Sequence, residues 1–250
     1  MKIFLDYLDK RTKFLKTLLN DYKTMEATKD NFLKAEKGDF IIFPPNKKWC
    51  EEEINSLPEK ITLFCGKVDN CFLKTLCEKK IKHINFLDDE NFAIENARLT
   101  AEGILSLIIE NSPRSFFENN ILLLGCGRIT KSLAMIFAKL GIKFSIACFS
   151  ENGYFEAHYF CDKNYFEYEF LSDIKNFDII VNTRPIEFFD EEKMKLIKDD
   201  TLFIETASTN CLNEQKAKHF SYLKAPALPQ RFCFESASKL LLKKILGEIK

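Results

Sequence analysis

Residues 121–148 constrain the fold of this chain more than any other stretch. Four successive apolar residues open it, as in a short buried strand, and two glycines, Gly125 and Gly127, follow at once. Residues 128–140 then carry apolar side chains at helical spacing, and a second apolar run follows Gly141. A strand, a glycine turn, a helix and a second strand in this order predict a Rossmann-type unit.

The glycine turn is also a candidate dinucleotide site. In Rossmann units the pyrophosphate lies at the helix N-terminus, where the first glycine permits the turn and the second lets the backbone approach the phosphates. We therefore predict cofactor contacts at Gly125, Cys126, Gly127, Arg128 and Ile129. Thr130 stands where the third glycine of the fingerprint is usual, so a Rossmann unit whose turn binds nothing is the alternative.

The composition limits the function classes. Acidic and basic residues number 37 each among 250, so the net charge gives no reason to bind nucleic acid or an anionic membrane. No apolar run approaches the ~20 residues of a membrane span, and the charged N-terminal segment does not resemble a signal peptide. We expect a cytoplasmic protein that binds neither nucleic acid nor membrane.

The nine cysteines do not predict a metal site. They form no Cys-x-x-Cys pair, and no Cys/His cluster has the spacing of zinc ligands. Several lie within apolar runs, where a free thiol packs as a small hydrophobe. We expect reduced thiols and no bound metal.

Short apolar runs alternate with amphipathic segments along the whole chain. In the first part of the chain, the apolar runs at 40–43 and 61–65 and the strand-like segment 81–86 are separated by segments with helical spacing. The same alternation continues beyond the glycine turn. It predicts an α/β fold of two Rossmann-like lobes with mainly parallel sheets.

The two lobes are predicted to meet in the segment 96–103. Thr100 fits an N-cap or early-turn position there, and apolar residues follow it to a helix end near Asn111. We therefore expect a connecting helix that starts near Thr100. The predicted domains are 1–98, an N-terminal Rossmann-like lobe, and 99–250, a dinucleotide-binding domain with the connecting and C-terminal helices.

Small and polar residues follow the predicted strands of the second lobe, where ligands bind in an open parallel sheet. Phe149 and Ser150 follow the second strand, at the expected position of the adenosine ribose. Asn182 and Thr183 follow a later strand, near the ribose and nicotinamide, and Ala207 lies further along. The ribose position carries neither the acidic residue of NAD sites nor a basic one, so NADP and NAD both stay open. Phe149 is either an adenine platform or part of the core.

Five short segments mark strand and helix ends of the chain. They are Asn-Ala-Arg-Leu-Thr-Ala-Glu-Gly at 96–103, Gly-Cys-Gly-Arg at 125–128, Asn-Thr-Arg-Pro at 182–185, Ala-Ser at 207–208 and Ala-Pro-Ala-Leu-Pro at 225–229. In their order and approximate spacing these segments resemble the A subunit of dipicolinate synthase. The resemblance covers most of the chain.

The resemblance implies an activity, a cofactor and partners. The family oxidises dihydrodipicolinate to dipicolinate with NADP or NAD during bacterial sporulation, together with a flavoprotein-like second subunit. A small dicarboxylate substrate needs cations, amide donors or helix N-termini. We therefore predict substrate contacts at Arg98, Thr100, Gly66 and Arg231, and catalytic roles for Glu102 and Arg184. Glu102 either takes a proton or is a first-turn acid of the connecting helix. A homo-oligomer is a further expectation.

The chain departs from the family pattern at several positions. Thr130 replaces a glycine, Phe149 stands where the family often has Arg, and family glycines are absent from 208–212 and 226–230. Two other hypotheses therefore stay open. One is a different two-lobed NAD(P)-dependent oxidoreductase, and the other is a degenerate, non-catalytic nucleotide-binding subunit.

Overall fold

The computed structural model describes residues 1–161 and 163–249, which fold into two α/β units. Unit 1 holds Met1–Asn96 together with the segment that begins at Pro229, and unit 2 holds Ala97–Leu228. Each unit is built on one sheet of parallel strands. The predicted α/β fold with two Rossmann-like lobes is confirmed. Among the described residues, no helix is both long and apolar enough to cross a membrane.

Unit 1 contains a five-stranded sheet in the order β2-β1-β3-β4-β5. Its strands are β1 (Lys2–Leu5), β2 (Lys23–Glu26), β3 (Phe40–Ile42), β4 (Thr62–Cys65) and β5 (Lys82–Asn85). Between them lie the helices α1 (Lys10–Leu18), α2 (Lys29–Phe32), α3 (Glu51–Ser56) and α4 (Asn70–Glu78). A 3-10 turn at Phe86–Asp88 leads into the long helix α5 (Glu90–Asn111).

Unit 2 contains a six-stranded sheet in the order β11-β10-β9-β6-β7-β8. Its strands are β6 (Ile121–Leu124), β7 (Phe144–Cys148), β8 (Asn164–Phe166), β9 (Ile179–Asn182), β10 (Leu202–Glu205) and β11 (Ser221–Lys224). Its helices are α6 (Arg128–Leu140), α7 (Glu151–Ala157) and α8 (Glu191–Met194), with 3-10 turns at Phe116–Glu118, Glu169–Ser172, Ile174–Asn176 and Glu214–Lys216. Every residue of β6, β9 and β10 is buried, as expected for central strands covered on both faces.

Helix α6 forms where the apolar periodicity predicts it. Leu133, Ala134 and Phe137 are fully buried on one side of the helix. Gly141 ends the helix in a left-handed conformation with φ +70°, which an L side chain rarely adopts. The strand, turn and helix that open the second lobe thus form as the sequence predicts.

The connecting helix begins earlier than predicted. Helix α5 starts at Glu90, and the Asp89 side chain accepts a hydrogen bond from Phe92 N at 3.1 Å, as an N-cap does. Thr100 is therefore a buried mid-helix residue, and the expectation of a helix start there is wrong. Glu102 likewise lies beyond the first turn. Apolar residues recur from residue 92 to 108 without a proline, so nothing in the segment 96–103 interrupts the helix.

The C-terminal helices also differ from the predicted domain boundary. Helix α9 (Leu228–Phe232) leads to α10 (Phe234–Ile249), and α10 packs in unit 1 against α1. Ser238 Oγ donates to Arg11 O at 2.7 Å, and Leu241 and Ile245 are buried in the core of unit 1. The chain therefore returns to the first unit after residue 228, because the apolar side of α10 completes that core.

An ionic cluster fixes the start of β9 in unit 2. The Asp178 carboxylate accepts a hydrogen bond from Asn120 N at 2.8 Å and pairs with Lys198 and Arg114. Arg114 also pairs with Asp200 at 2.7 Å. Burial of Asp178 raises the pKa of its carboxyl, but the backbone hydrogen bond and the two cations outweigh that effect and hold the pKa below its ordinary value.

Candidate nucleotide-binding site

The turn between β6 and α6 requires a glycine at its first position. Gly125 has φ +101°, and a Cβ there would lie 2.8 Å from Thr183 Oγ1, well inside van der Waals contact. Its N–H donates to Ala147 O on the neighbouring strand β7 at 2.9 Å. The turn is therefore held between the carboxyl ends of β7 and β9.

The second glycine leaves open space at the start of α6. Gly127 is exposed, and a Cβ there would meet no described atom within 4 Å. It occupies the N-cap position of α6, and no described side chain caps the first turn. Uncapped N–H groups and the positive end of a helix dipole form an anion-binding site. The geometry thus fits a phosphate group approaching over Gly127.

Thr130 replaces the third glycine without closing the turn. The side chain is fully buried, and its Oγ1 lies 3.0 Å from Thr183 Oγ1, which donates to Leu124 O at 2.9 Å. The third glycine of the fingerprint serves close packing of helix on strand. Here the hydrogen-bonded pair of Thr130 and Thr183 makes that contact. A threonine in place of the glycine therefore changes how α6 packs on the sheet, and it leaves the space above Gly127 open.

A buried polar pair supports the loops after β9 and β10. Asn182 and Glu205 are both fully buried, and Asn182 Nδ2 lies 2.8 and 3.0 Å from the two oxygens of Glu205. Glu205 also accepts hydrogen bonds from Ala207 N at 2.9 Å and Cys211 N at 2.8 Å. Asn182 in turn donates to Arg184 O at 2.9 Å and accepts from Arg184 N at 3.1 Å. Through these hydrogen bonds the pair fixes the backbone conformation of the loops after β9 and β10.

A cleft of about 340 Å³ opens above these supports, lined by residues 125–127, 149–150 and 183–185. The Arg184 guanidinium lies over the Phe149 ring, with Cζ 3.9 Å from the ring centroid. Phe149 packs in turn against Phe188 at 5.6 Å and against Tyr168 at 5.7 Å. Phe149 is thus half-buried, joining the core on one side and bearing a cation on the other.

Two cysteines lie close together at the turn, Cys126 within it and Cys148 at the end of β7. A hydrogen bond between the two thiols lowers the pKa of Cys126 despite its partial burial. The same hydrogen bond, together with burial, raises the pKa of Cys148. Gly153 lies against both residues, because a Cβ there would come within 3.2 Å of Cys126 Cβ and Cys148 Sγ is 3.3 Å from Gly153 O. Cys126 is the more reactive thiol of this pair.

The predicted cofactor residues divide into three sets. Those that line the cleft are Gly125, Cys126, Gly127, Phe149, Ser150 and Thr183, together with Arg184. Arg128 and Ile129 form the first turn of α6. Asn182 and Ala207 do not line the cleft; Asn182 is fully buried and Ala207 N is bonded to Glu205. Those two positions support the site from below.

The predicted substrate residues lie in different units. Arg98 and Glu102 are exposed on α5 within unit 2, one helical turn apart, while Thr100 is buried between them. Gly66 and Arg231 belong to unit 1. A Cβ on Gly66 would lie 1.8 Å from Pro45 O, so the backbone packing there requires glycine whatever the ligand.

Sequence reasoning overlooked the roles of Glu205 and Thr183. Glu205 ends an otherwise apolar strand, and an acidic residue in such a place signals a buried network that needs several donors. Thr183 serves the turn and Thr130 through its hydroxyl. No sequence pattern pairs Thr183 with Thr130, since the contact depends on β9 lying beside β6.

Known proteins resemble the chain in sequence and in fold. No model of a known protein family matches the chain. It is 24% identical over 214 residues to the A subunit of dipicolinate synthase from Bacillus subtilis (strain 168), across 80% of this chain and 69% of that protein. The crystal structure of the same dipicolinate synthase component from Bacillus subtilis superposes with a TM-score of 0.81 at 19% identity, covering 99% of this chain and 95% of that one.

A more distant structure shares the architecture. The NAD-dependent formate dehydrogenase from Staphylococcus aureus, solved in complex with NAD, has a TM-score of 0.61 at 13% identity, covering 100% of this chain and 97% of that one. The fold is therefore that of two-lobed dehydrogenases. In sequence and fold together, the chain is a divergent relative of the A subunit of dipicolinate synthase.

Proposed function

We propose that unit 2 binds a nicotinamide dinucleotide, NADP or NAD, and that the protein is an oxidoreductase. The observation that carries this proposal is the open glycine turn at the uncapped N-terminus of α6, where a Cβ on Gly127 would meet no described atom within 4 Å. The cleft beside it lies at the carboxyl ends of β6, β7 and β9, where open parallel sheets bind ligands. The named activities of the relatives support the same class.

Different residues of unit 2 would contact different parts of the cofactor. The N–H groups at the start of α6 would bind the pyrophosphate across Gly127, and Phe149 and Ser150 would contact the adenosine. A bound nicotinamide would supply the hydride acceptor for the oxidation. Asn182 and Glu205 would keep the loops after β9 and β10 in place.

The proposed reaction is that of the relative, the oxidation of dihydrodipicolinate to dipicolinate. Loss of a hydride and a proton aromatises the ring, so the protein mainly has to orient a dicarboxylate and accept a proton. We assign Arg98, Gly66 and Arg231 to the substrate and Glu102 to the proton, and we leave out Thr100 because it is buried in the middle of α5. The relative is named as one subunit of an enzyme, which supports a second subunit here. The flavoprotein-like character of that subunit and a cytoplasmic role in sporulation belong to the same proposal.

Calorimetric titration with NAD and with NADP tests the cofactor site first. The wild-type protein should bind at least one of them, and Gly127→Ala should weaken binding at least about tenfold because its methyl group fills the phosphate approach. Since a Cβ at Gly127 would meet no described atom within 4 Å, the free energy of unfolding of the variant should lie within about 1 kcal/mol of the wild-type value. Binding of neither cofactor would refute the proposal.

Turnover tests the reaction. The protein, its flavoprotein-like partner, dihydrodipicolinate and the bound cofactor should yield ultraviolet-absorbing dipicolinate. Reduction of the cofactor by hydroxy acids, without dipicolinate formation, would instead identify a different two-lobed oxidoreductase.

A non-catalytic nucleotide-binding protein is the second candidate. One observation favours it. The side chains of Asn182 and Thr183 form hydrogen bonds within the protein, although both residues lie at the strand end nearest the expected nicotinamide. Tight cofactor binding without any turnover, with the partner present, would select this candidate.

A further inference from the structure

Arg184 is an unpaired cation in the cleft. Of the described residues that line the cleft, Arg184 is the one with a charged side chain. Its Nη1 is buried and has no hydrogen-bond partner in the described part of the chain. No described carboxylate forms an ion pair with it. A partly buried cation without a counter-charge is unfavourable unless a ligand supplies an anion. The side chain thus marks a place for a negative group.

The position of the guanidinium identifies that group. Arg184 follows β9, but its side chain crosses the glycine turn to reach Phe149, the residue directly after β7. A Cβ on Gly125 would lie 3.7 Å from Arg184 Cβ, which shows how closely the loop passes over the turn. In Rossmann units the end of the second strand meets the adenosine ribose, where an acidic residue binds the 2′-hydroxyl and an arginine a 2′-phosphate.

The cleft lacks the acidic alternative. None of its described lining residues is Asp or Glu, and Glu151, the residue after Ser150, lies in the first turn of α7 outside that lining. The planar guanidinium, already stacked on Phe149, presents a fork that matches a phosphate group. Because the stacking already restricts the Arg184 side chain, less conformational entropy is lost when a ligand binds.

We propose that Arg184 binds the 2′-phosphate of NADP and makes the cleft selective for NADP over NAD. The inference rests on the proposed dinucleotide site and assigns Arg184 to cofactor recognition in place of the catalytic role predicted from the sequence. Phe149 serves as the platform that holds the guanidinium at the end of β7.

Calorimetric titration with NADP and NAD tests the inference, with Arg184→Gln as the main variant. Wild type should bind NADP at least about tenfold more tightly than NAD, and Arg184→Gln should weaken NADP binding about tenfold to a hundredfold, with NAD changed less than about threefold. Arg184→Lys should fall between them, because it keeps the charge and loses the fork. Adenosine 2′,5′-bisphosphate should displace NADP better than 5′-AMP in wild type only.

Lys139→Gln is the matched control. It removes one positive charge from the exposed last turn of α6, which lies roughly 17 Å from the start of that helix at about 1.5 Å per residue. The affinities for NADP and for NAD should both stay unchanged. Equal binding of NAD and NADP by wild type, or an equal loss of both in Arg184→Gln, would overturn the inference and leave the dinucleotide site standing. Binding of neither cofactor by wild type would overturn both.

Discussion

Replacing Asn182 with alanine should strongly destabilise unit 2. The Asn182 amide donates to both oxygens of Glu205 and exchanges two hydrogen bonds with the backbone of Arg184. Both Asn182 and Glu205 are fully buried, so water does not replace the lost partners. After truncation the Glu205 carboxylate keeps its two backbone donors, Ala207 N and Cys211 N.

The magnitude follows from the kind of bond that is lost. Hydrogen bonds to a charged group contribute about 1.5–3 kcal/mol, and neutral ones about 0.5–1.5 kcal/mol. Asn182→Ala removes one charged interaction and the neutral exchange with Arg184, and it leaves a buried carboxylate underbonded. We expect a loss of about 3–5 kcal/mol in the free energy of unfolding, similar to breaking a buried ionic interaction.

Denaturant unfolding followed by circular dichroism measures the loss. Asn119→Ala is the control, because Asn119 is also buried in unit 2 and its side chain bonds, among the described residues, to neutral partners, Ser115 O at 2.8 Å and Ser112 Oγ at 3.4 Å. It should cost about 1–2 kcal/mol. The double variant Asn182→Ala, Glu205→Gln should be more stable than the sum of the single losses by about 1 kcal/mol or more. Equal losses in Asn182→Ala and Asn119→Ala, or strict additivity, would refute the reasoning.

Three further predictions concern the turn, an acid and a thiol. Gly125→Ala should lower the free energy of unfolding by about 1–3 kcal/mol because of its positive φ and close packing, whereas Gly127→Ala should not; a neutral Gly125→Ala in denaturant unfolding would contradict this. Asp178 has a lowered folded pKa, so its stabilising effect is complete above its ordinary pKa of about 3.9 and is lost as the pH falls through the folded value. The difference in unfolding free energy between wild type and Asp178→Asn should therefore be largest near neutral pH and shrink below about pH 4, and a constant difference would exclude this origin. Iodoacetamide should label Cys126 before Cys148 in peptide mass mapping, and Cys148→Ala should slow labelling of Cys126 at neutral pH by removing the hydrogen bond that lowers its pKa; an unchanged rate would show that the bond has no effect.

Helix boundaries show where local patterns suffice and where they do not. Helix α6 was predictable because a glycine turn, an apolar period and Gly141 all act within a few residues. The start of α5 was misplaced because Thr100 is an acceptable cap in isolation, whereas packing keeps the helix continuous from Glu90. Local capping preferences are weaker than the burial of a long apolar helix face.

Residue roles at the site depended on neighbours that are remote in sequence. The pairing of Asn182 with Glu205 follows from β9 lying beside β10, and the stacking of Arg184 on Phe149 follows from a loop that crosses the turn. The period of an apolar run specifies that a strand is buried, but not which strand lies next to it.

The sequence by itself determined the class of fold, the position of the turn between β6 and α6 and the need for glycine at its first position, because these depend on local sterics and on apolar periodicity. Only the tertiary structure decided that Thr130 packs against Thr183, that α10 completes unit 1, and that Arg184 supplies the cation at the end of β7. Strand order and loop crossings bring those groups together, and both are set by packing of the whole unit.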